Sequence, residues 1–292
     1  MTAAVDAWFL ALAVGLARSR QRRPARSLGR KQAARLAAGS WLLGGVAMLL
    51  GHAESRYLDR VNRQIAPPTS DPEERLLRTV QYVYSCRAPL DVQRIGSPLF
   101  RLIARLEAAS PLHVSARTTI TGGADHGGPC GSMSRAVQVL LSRGGIEARK
   151  LFLYDEHDSP QHTVIEARLR DRWAVVDATY GRIWQRDDDG ELLTAEQLAA
   201  DSPLFERLAS TLPNYPTDRF GYRNVFHLRV EKVPGLKRLR GPMRSWLGDD
   251  FVRSINTPYI YERPQFLVAN VFFAIGTIAL GVNNFLAGND LL

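Results

Sequence analysis

Two long runs of uncharged, mostly apolar residues constrain this chain more than any other feature of its sequence. Residues 36–53, LAAGSWLLGGVAMLLGHA, and residues 266–287, FLVANVFFAIGTIALGVNNFLA, contain no Asp, Glu, Lys or Arg. A helix needs about 20 mostly apolar residues to cross the hydrocarbon core of a bilayer. The second run has that length and the first lies near its lower limit. The sequence therefore predicts two membrane-spanning helices.

Two points at the ends of the chain stay open. Residues 3–17 are apolar but short and include Asp6, so they are compatible with a short span, an interfacial helix or a buried helix. The C-terminal run contains three asparagines, which keep a buried core helix as an alternative to a span. These are Asn270, Asn283 and Asn284.

The distribution of basic residues predicts the orientation of the chain. Residues 18–35 carry eight Arg or Lys and no acidic residue, and such tracts stay in the cytoplasm. Residues 54 onward then lie outside, whether or not residues 3–17 cross the bilayer. We expect a membrane region at 1–53 with a basic cytoplasmic loop at 18–35, an exported domain at 54–265, and a C-terminal membrane helix at 266–292. The expected location is the cell membrane, with the central domain on its periplasmic or extracellular face.

The charge of the central domain argues against a nucleic-acid partner. Although the whole chain has a net charge of +9, residues 54–265 contain 30 Lys or Arg against 27 Asp or Glu. The basic excess is therefore local and does not form a domain-wide binding face. A second basic segment, 229–253, carries seven Arg or Lys and suits contact with anionic lipid headgroups. The two cysteines do not make a disulfide framework.

The central segment changes its hydrophobic period part-way along the chain. Residues 71–85 predict a helix capped by Asp71, residues 98–110 a second helix, and the run from Cys130 to the glycines at 144–145 a third. Residues 148–155, 162–170 and 172–181 then read as strands separated by turns. We expect an α+β fold in which a helical layer, including the Cys-bearing helix, packs on an antiparallel sheet.

Three residues of this segment have the types and the order that a thiol nucleophile needs. Cys130 begins a helix after a glycine-rich loop, where unpaired N–H groups and partial positive charge favour a thiolate. His162 opens a strand and is the expected acid and base, while Asp177, in an apolar strand, is expected to orient the imidazole. If the two strands form a hairpin, the side chains of His162 and Asp177 meet only through a bulge or an offset pairing.

Simpler interpretations exist for each of these residues. Cys130 is compatible with an inert buried thiol, and Asp177 with a turn cap for Thr179. His157, five residues before His162, is a rival base. Zinc binding through Cys130, His126, His157 and His162 would need ligand pairs such as CxxC or HxxxH, which the sequence lacks. We therefore predict no metal and no organic cofactor.

The joint order of these residues resembles the transglutaminase-like, papain-related cysteine superfamily. The matching pieces are the GPC of residues 128–130, the LLSRGGIEAR of residues 140–149, His162, and the WAVVDATYG of residues 173–181. The resemblance covers residues 71–185. It implies a transglutaminase-like fold with Cys130 as nucleophile, His162 as base and acid, and Asp177 as the residue that orients the histidine.

These observations lead to a hypothesis about function. We expect a membrane-anchored cysteine acyl-transfer enzyme that hydrolyses an amide or peptide, or transfers its acyl group to an amine. The expected substrate is a peptide, a protein or a cell-envelope polymer on the exported side, and membrane lipid is the other expected partner. The alternative is a catalytically silent transglutaminase-like scaffold or binding module in an envelope assembly. The sequence does not predict the oligomeric state.

Overall fold

The described part of the chain divides into two compact units. The computed structural model describes residues 23–67, 70–86, 115–121, 129–187, 189–228, 240–248, 251–252 and 255–288. One unit comprises Met1–His52 and Gln265–Leu292, and the other comprises Ala53–Pro264. The expected features at residues 3–17 and 98–110 lie outside the described residues.

The first unit is built on two apolar helices, α1 (Arg23–Ile65) and α8 (Pro264–Gly288). Among the described residues, two helical segments, Gly29–Ile65 and Pro264–Ala287, are long and apolar enough to cross a membrane. Large apolar side chains on their surfaces face outward: Leu42 is 70% exposed and Leu49 is 71% exposed. Such exposure is unusual for a helix in water but suits a helix in lipid, so membrane association is the simplest reading of these helices.

Glycines let the two helices of this unit approach each other closely. A Cβ atom built at Gly44 would lie 2.8 Å from the ring of Phe273, and one at Gly51 would lie 2.7 Å from the ring of Phe266. Each aromatic ring therefore fills the space that a larger side chain on α1 would occupy. Small residues serve the same purpose between helices within membranes.

The basic tract differs from its expected form. Residues 23–35 are not a loop, because α1 begins at Arg23 and continues without a break through the apolar run to Ile65. The tract is rich in Arg, Ala, Lys and Gln, which are good helix formers. Extending an existing helix adds one hydrogen bond for each residue fixed. Residues 18–22 lie outside the described residues.

The second unit has an α+β fold. In chain order it contains the end of α1, then α2 (Pro72–Ser85), α3 (Ala116–Ile120) and α4 (Pro129–Arg143). The strands are β1 (Ala148–Tyr154), β2 (Pro160–Leu169), β3 (Arg172–Asp177), β4 (Arg182–Ile183) and β5 (Val225–Phe226). Helices α5 (Ala195–Ala200) and α6 (Ser202–Ser210) lie between β4 and β5. Helix α7 (Arg240–Leu247) and a 3₁₀ turn (Tyr259–Glu262) follow β5.

Within the described residues, the five strands form one antiparallel sheet in the order β4-β3-β2-β1-β5. The three longest strands are consecutive hairpin neighbours, which confirms the predicted α+β meander. The β2–β3 pairing is regular from Leu169↔Arg172 to Ile165↔Val176. Arg170, at the tip of this hairpin, has a positive φ of 56°. The sheet therefore holds the far ends of β2 and β3 side by side.

Both faces of the sheet are buried. Residues of α2, α3 and α4 pack with Ile165, Ala174 and Val176 on one face, together with the last turns of α1. Residues of α5, α6 and the following loop pack with Leu151, Val164 and Val175 on the other. Because strand side chains alternate between faces, successive residues of β2 join different cores.

Helix α2 begins, and helix α4 ends, where the sequence signals predict. The carboxylate of Asp71 accepts hydrogen bonds from the backbone N–H groups of Glu73 and Glu74 at the start of α2. Helix α4 ends with Gly145 at a φ of 80°. The Ile146 N–H then donates to the Leu141 carbonyl at 3.0 Å, as in a Schellman cap. These two signals fix the bounds of α2 and the C-terminal end of α4.

Candidate active site

Cys130 is the second residue of α4 and carries a half-buried free thiol. The first N–H groups of a helix have no partner within it, and the Gly131 N–H hydrogen-bonds the sulfur of Cys130. The side chains of His162 and Thr163 on β2 also lie close enough to lower the pKa of the thiol. The packing of α4 on β2 therefore brings the start of the helix to the start of the strand.

His162 and Asp177 are in direct contact. The Nε2 atom of His162 lies 2.8 Å from Oδ2 of Asp177, and the two residues are 7% and 0% exposed. Because Nε2 is engaged by the carboxylate, the ring leaves its Nδ1 atom for the thiol of Cys130. The structure thus brings together all three residues that the sequence singled out.

The contact between His162 and Asp177 lies just beyond the paired part of the β2–β3 hairpin, which shows no offset. In the regular β2–β3 register, Asp177 follows the Ile165↔Val176 pair and is opposite Val164. His162 is two residues further along β2, on the same face of the sheet. Diagonal neighbours on one face are within reach of long side chains. The β1–β2 register shifts beside His162, because His162 pairs with Leu153 while Pro160 pairs with Tyr154. A bulge therefore lies next to the histidine, on its β1 side and not between β2 and β3.

Asp177 is fully buried and is held by several donors. Its Oδ1 atom accepts hydrogen bonds from the backbone N–H groups of Thr179 at 3.0 Å and Tyr180 at 3.4 Å. Its Oδ2 atom accepts one from the hydroxyl of Tyr215 at 2.9 Å, in addition to its contact with His162. Burying a carboxylate is costly unless such partners are present. The turn-cap interpretation of Asp177 thus holds for one oxygen, while the other faces the histidine.

Sequence reasoning missed two aromatic residues of the site. Phe220 stacks on the ring of His162 with centroids 4.7 Å apart and an interplanar angle of 17°. Tyr215 contacts Asp177 and lies edge-on to His162. Both lie between α6 and β5, a connection without periodic patterning. The only local signal is the concentration of aromatic residues at 215, 220 and 222.

The surroundings of Cys130 and His162 favour an ion pair. Burial opposes the charged thiolate, but the hydrogen bond and charge of His162, together with bonds from Thr163 and Gly131, lower the pKa of Cys130. Burial also opposes a charged imidazole. The charge and hydrogen bond of Asp177 outweigh it and raise the pKa of His162 to about 9. Both shifts favour the charged forms of this pair, a thiolate beside an imidazolium.

The other titratable candidates lie apart from this cluster or outside the described residues. The side chain of His157 is 83% exposed and lies 3.7 Å from Glu156, so the rival base is on the surface turn. Cys86 is half-buried at the end of α2, and burial raises its pKa. His126 lies outside the described residues. Within the described ranges, no group of three or more His, Cys, Asp or Glu is arranged to hold a metal ion.

Comparison with known proteins finds no matching family model, no matching curated protein and no matching solved structure.

Proposed function

We propose that this protein is a membrane-anchored cysteine acyl-transfer enzyme of transglutaminase-like type. The observation that supports this most is the hydrogen-bonded series from the Cys130 thiol through the His162 ring to the Asp177 carboxylate. The pKa of Cys130 is lowered and that of His162 is raised, which favours the charged pair that the chemistry requires. The order Cys, His, Asp along the chain is also the order that the motif resemblance implies.

In the proposed reaction, the Cys130 thiolate attacks the carbonyl carbon of an amide or ester. Negative charge then develops on the carbonyl oxygen, and the backbone N–H of Cys130 at the start of α4 would stabilise it. The imidazolium of His162 donates its proton to the leaving amine or alcohol, which leaves a thioester on Cys130. Water or an acceptor amine then attacks the thioester, and His162 takes up the proton of that nucleophile.

The substrate in this proposal is a peptide, a protein or a cell-envelope polymer. The two apolar helices support attachment to a membrane, and the basic tract at 18–35 favours an exported position for the central unit. Hydrolysis and transfer differ only in whether water or an amine accepts the acyl group. The site residues are the same in both reactions.

A test with a generic acyl donor needs no knowledge of the natural substrate. The purified full-length protein is mixed with p-nitrophenyl acetate, nitrophenolate release is followed, and the acetylated residue is identified by peptide mass spectrometry. We expect a burst of nitrophenolate with acetyl on Cys130, and faster turnover when glycinamide is added if the enzyme transfers acyl groups to amines. The burst disappears in Cys130→Ser and falls by about 10²-fold or more in His162→Ala.

His157→Ala is the matched control, because it removes the exposed neighbouring imidazole and leaves the cluster intact. Thermal unfolding of each variant verifies that it is folded. Acetylation of Cys130 at the rate of free cysteine, with no effect of His162→Ala, would contradict the enzyme proposal. That outcome would favour the silent scaffold instead.

A further inference from the structure

The second unit has an unusual concentration of exposed apolar side chains just before the C-terminal apolar helix. Among its described residues, seven large hydrophobic side chains are exposed, and five of them lie between residues 246 and 260. Trp246 is the most exposed of these, at 88%. The five are Trp246, Leu247, Phe251, Tyr259 and Ile260. Because the remainder of this unit has both sheet faces covered, the concentration calls for a partner.

The chemistry of the segment selects a lipid surface as that partner. Residues 237–253 contain five cations, at 237, 238, 240, 244 and 253, against two acids, at 249 and 250. One of the cations, Arg244, is paired with Asp158, and the segment keeps a basic excess. Four residues after Ile260 the chain enters α8 at Pro264, which is long and apolar enough to span a bilayer. Tryptophan and tyrosine next to basic residues at the end of a span are typical of the membrane–water interface. Basic residues there are attracted to anionic headgroups.

Helix α7 packs against the rest of the second unit through contacts of Arg244. Arg244 pairs with Asp158 at 2.8 Å and lies 5.6 Å from the ring of Phe226. Asp158 also accepts a hydrogen bond from Asn224 at 3.0 Å. Trp246, two residues after Arg244, therefore projects from an anchored helix. Asp158 lies in the turn that leads into β2, the strand that carries His162.

We propose that helix α7 (Arg240–Leu247) is a membrane-surface element that inserts Trp246 into the headgroup region of an anionic bilayer. This inference depends on the proposed membrane attachment but not on the proposed chemistry. Its consequence is that the turn before His162 is held next to the lipid surface. The candidate active site would then work on groups presented close to the bilayer.

Fluorescence quenching by brominated lipid tests this proposal on the full-length protein. The protein is reconstituted at one copy per nanodisc, either in phosphatidylcholine brominated near the headgroup or in the same lipid mixed with phosphatidylglycerol. The emission of Trp246 is the difference between wild type and Trp246→Phe, which keeps the fold because the side chain is on the surface. We expect the anionic discs to quench the emission of Trp246 at least twofold. We also expect the bilayer to protect Trp246 from quenching by acrylamide. Quenching should be weaker in neutral discs and in high salt.

Two further variants serve as controls. The emission removed by Trp41→Phe should be quenched in both lipids, because Trp41 lies in the apolar run of α1 and is 48% exposed. The emission removed by Trp173→Phe should not be quenched, because Trp173 packs against Arg149 at 4.1 Å on the sheet. If Trp41 is unquenched, membrane attachment itself fails.

If Trp41 is quenched while Trp246 is unquenched and open to acrylamide, the surface element is overturned and attachment stands. The proposal is also overturned if Trp246 is unquenched by lipid yet protected from acrylamide in detergent dimers, because its partner is then a second copy. If Trp246 is quenched equally in neutral and anionic discs, the proposed attraction to anionic headgroups is wrong.

Discussion

Asp177 is the residue on which the geometry of the site depends most. It is fully buried, and its Oδ2 atom is shared between the ring of His162 and the hydroxyl of Tyr215. Burial and the nearby charge of Asp177 are among the causes that raise the pKa of Tyr215 well above its usual value. The hydroxyl therefore keeps its proton and remains a donor. Tyr215 is thus a positioning residue, because it acts on the histidine through the carboxylate.

Replacing Tyr215 by Phe tests this role with the ring retained. The Asp177 oxygen would lose one donor, and a hydrogen bond to a charged group contributes about 1.5–3 kcal/mol. We expect the free energy of unfolding to fall by that amount and the acetylation rate of Cys130 to fall about tenfold, because the imidazole is held less firmly. The measurements are thermal unfolding and the nitrophenolate burst.

Tyr180→Phe is the control for the Tyr215 variant. Tyr180 also lies near His162, with ring centroids 6.1 Å apart, but its hydroxyl donates to the Asn214 carbonyl. Tyr180→Phe should therefore leave the thermal stability and the nitrophenolate burst nearly unchanged. If Tyr215→Phe and Tyr180→Phe changed the thermal stability and the nitrophenolate burst by the same amount, the hydroxyl of Tyr215 would have no role in positioning Asp177.

At the scale of elements, the helix ends and the order of the strands could be predicted from the sequence, but the residues that a distant loop brings to the site could not. The cap of α2 and the end of α4 depend on Asp71 and Gly145, whose signals lie within a few residues of the helix ends. Tyr215 and Phe220 reach the site from a connection whose position is set by tertiary packing. The diagonal contact of His162 with Asp177 depends on strand register, which short-range patterns do not specify.

A buried cluster of charges joins three elements of the second unit. Glu262, in the 3₁₀ turn before α8, lies 2.9 Å from Arg135 of α4 and 2.5 Å from Lys150 of β1. Burial lowers the pKa of Lys150 to about 8, although Glu262 opposes that change. Burial would raise the pKa of Glu262, but the two cations outweigh it and hold the value at about 2. The cluster ties the segment before α8 to the helix that bears Cys130.

Replacing Glu262 by Gln should destabilise the protein strongly. Two buried cations lose their counter-charge, and breaking a buried pair in this way costs about 3–5 kcal/mol. For a unit of this size that corresponds to a fall in Tm of roughly 10 °C. Glu206→Gln, which removes an exposed carboxylate from α6, should change Tm little. Equal Tm values for the two variants would contradict the role given to the cluster.

The stabilisation by Glu262 should depend on pH, which a comparison of wild type with Glu262→Gln can measure. Because the folded pKa of Glu262 is about 2 and its ordinary value is 4.5, its contribution to stability is complete above pH 4.5. That contribution is lost as the pH falls through about 2. The difference in Tm between wild type and Glu262→Gln should therefore narrow steadily below pH 4.5. A difference that stays constant in acid would show that the carboxylate charge is not its source.

At the scale of the whole molecule, the apolar helices are the feature that composition makes most predictable. Their lengths and lack of charge were evident in the sequence, whereas the helical state of residues 23–35 was not. A charged tract carries the same positive-inside signal in a loop or in a helix. The charge pattern of this tract therefore did not indicate whether it forms a loop or a helix.

The proposed membrane attachment and orientation predict two outcomes in cells. The full-length protein should stay in the membrane pellet after extraction with alkaline carbonate, because two spanning helices are held by the hydrocarbon core and not by surface charge. A reporter that is active only after export should be active when fused after residue 60. Release into the supernatant would contradict the attachment, and a reporter active only in the cytoplasm would contradict the orientation.

The central claim is that Cys130 carries an ion-paired thiolate, and the pH dependence of its alkylation tests this most directly. Iodoacetamide labelling is measured by peptide mass spectrometry at Cys130 and Cys86 of the same molecule, in wild type and in His162→Ala. Since the imidazolium persists to a pKa of about 9, Cys130 should label rapidly at neutral pH. Cys86, whose pKa is raised by burial, should label slowly. His162→Ala should move the profile of Cys130 upward, toward the value of about 8.5 for free cysteine. A Cys130 profile that matches free cysteine in wild type, and does not change in His162→Ala, would contradict the account.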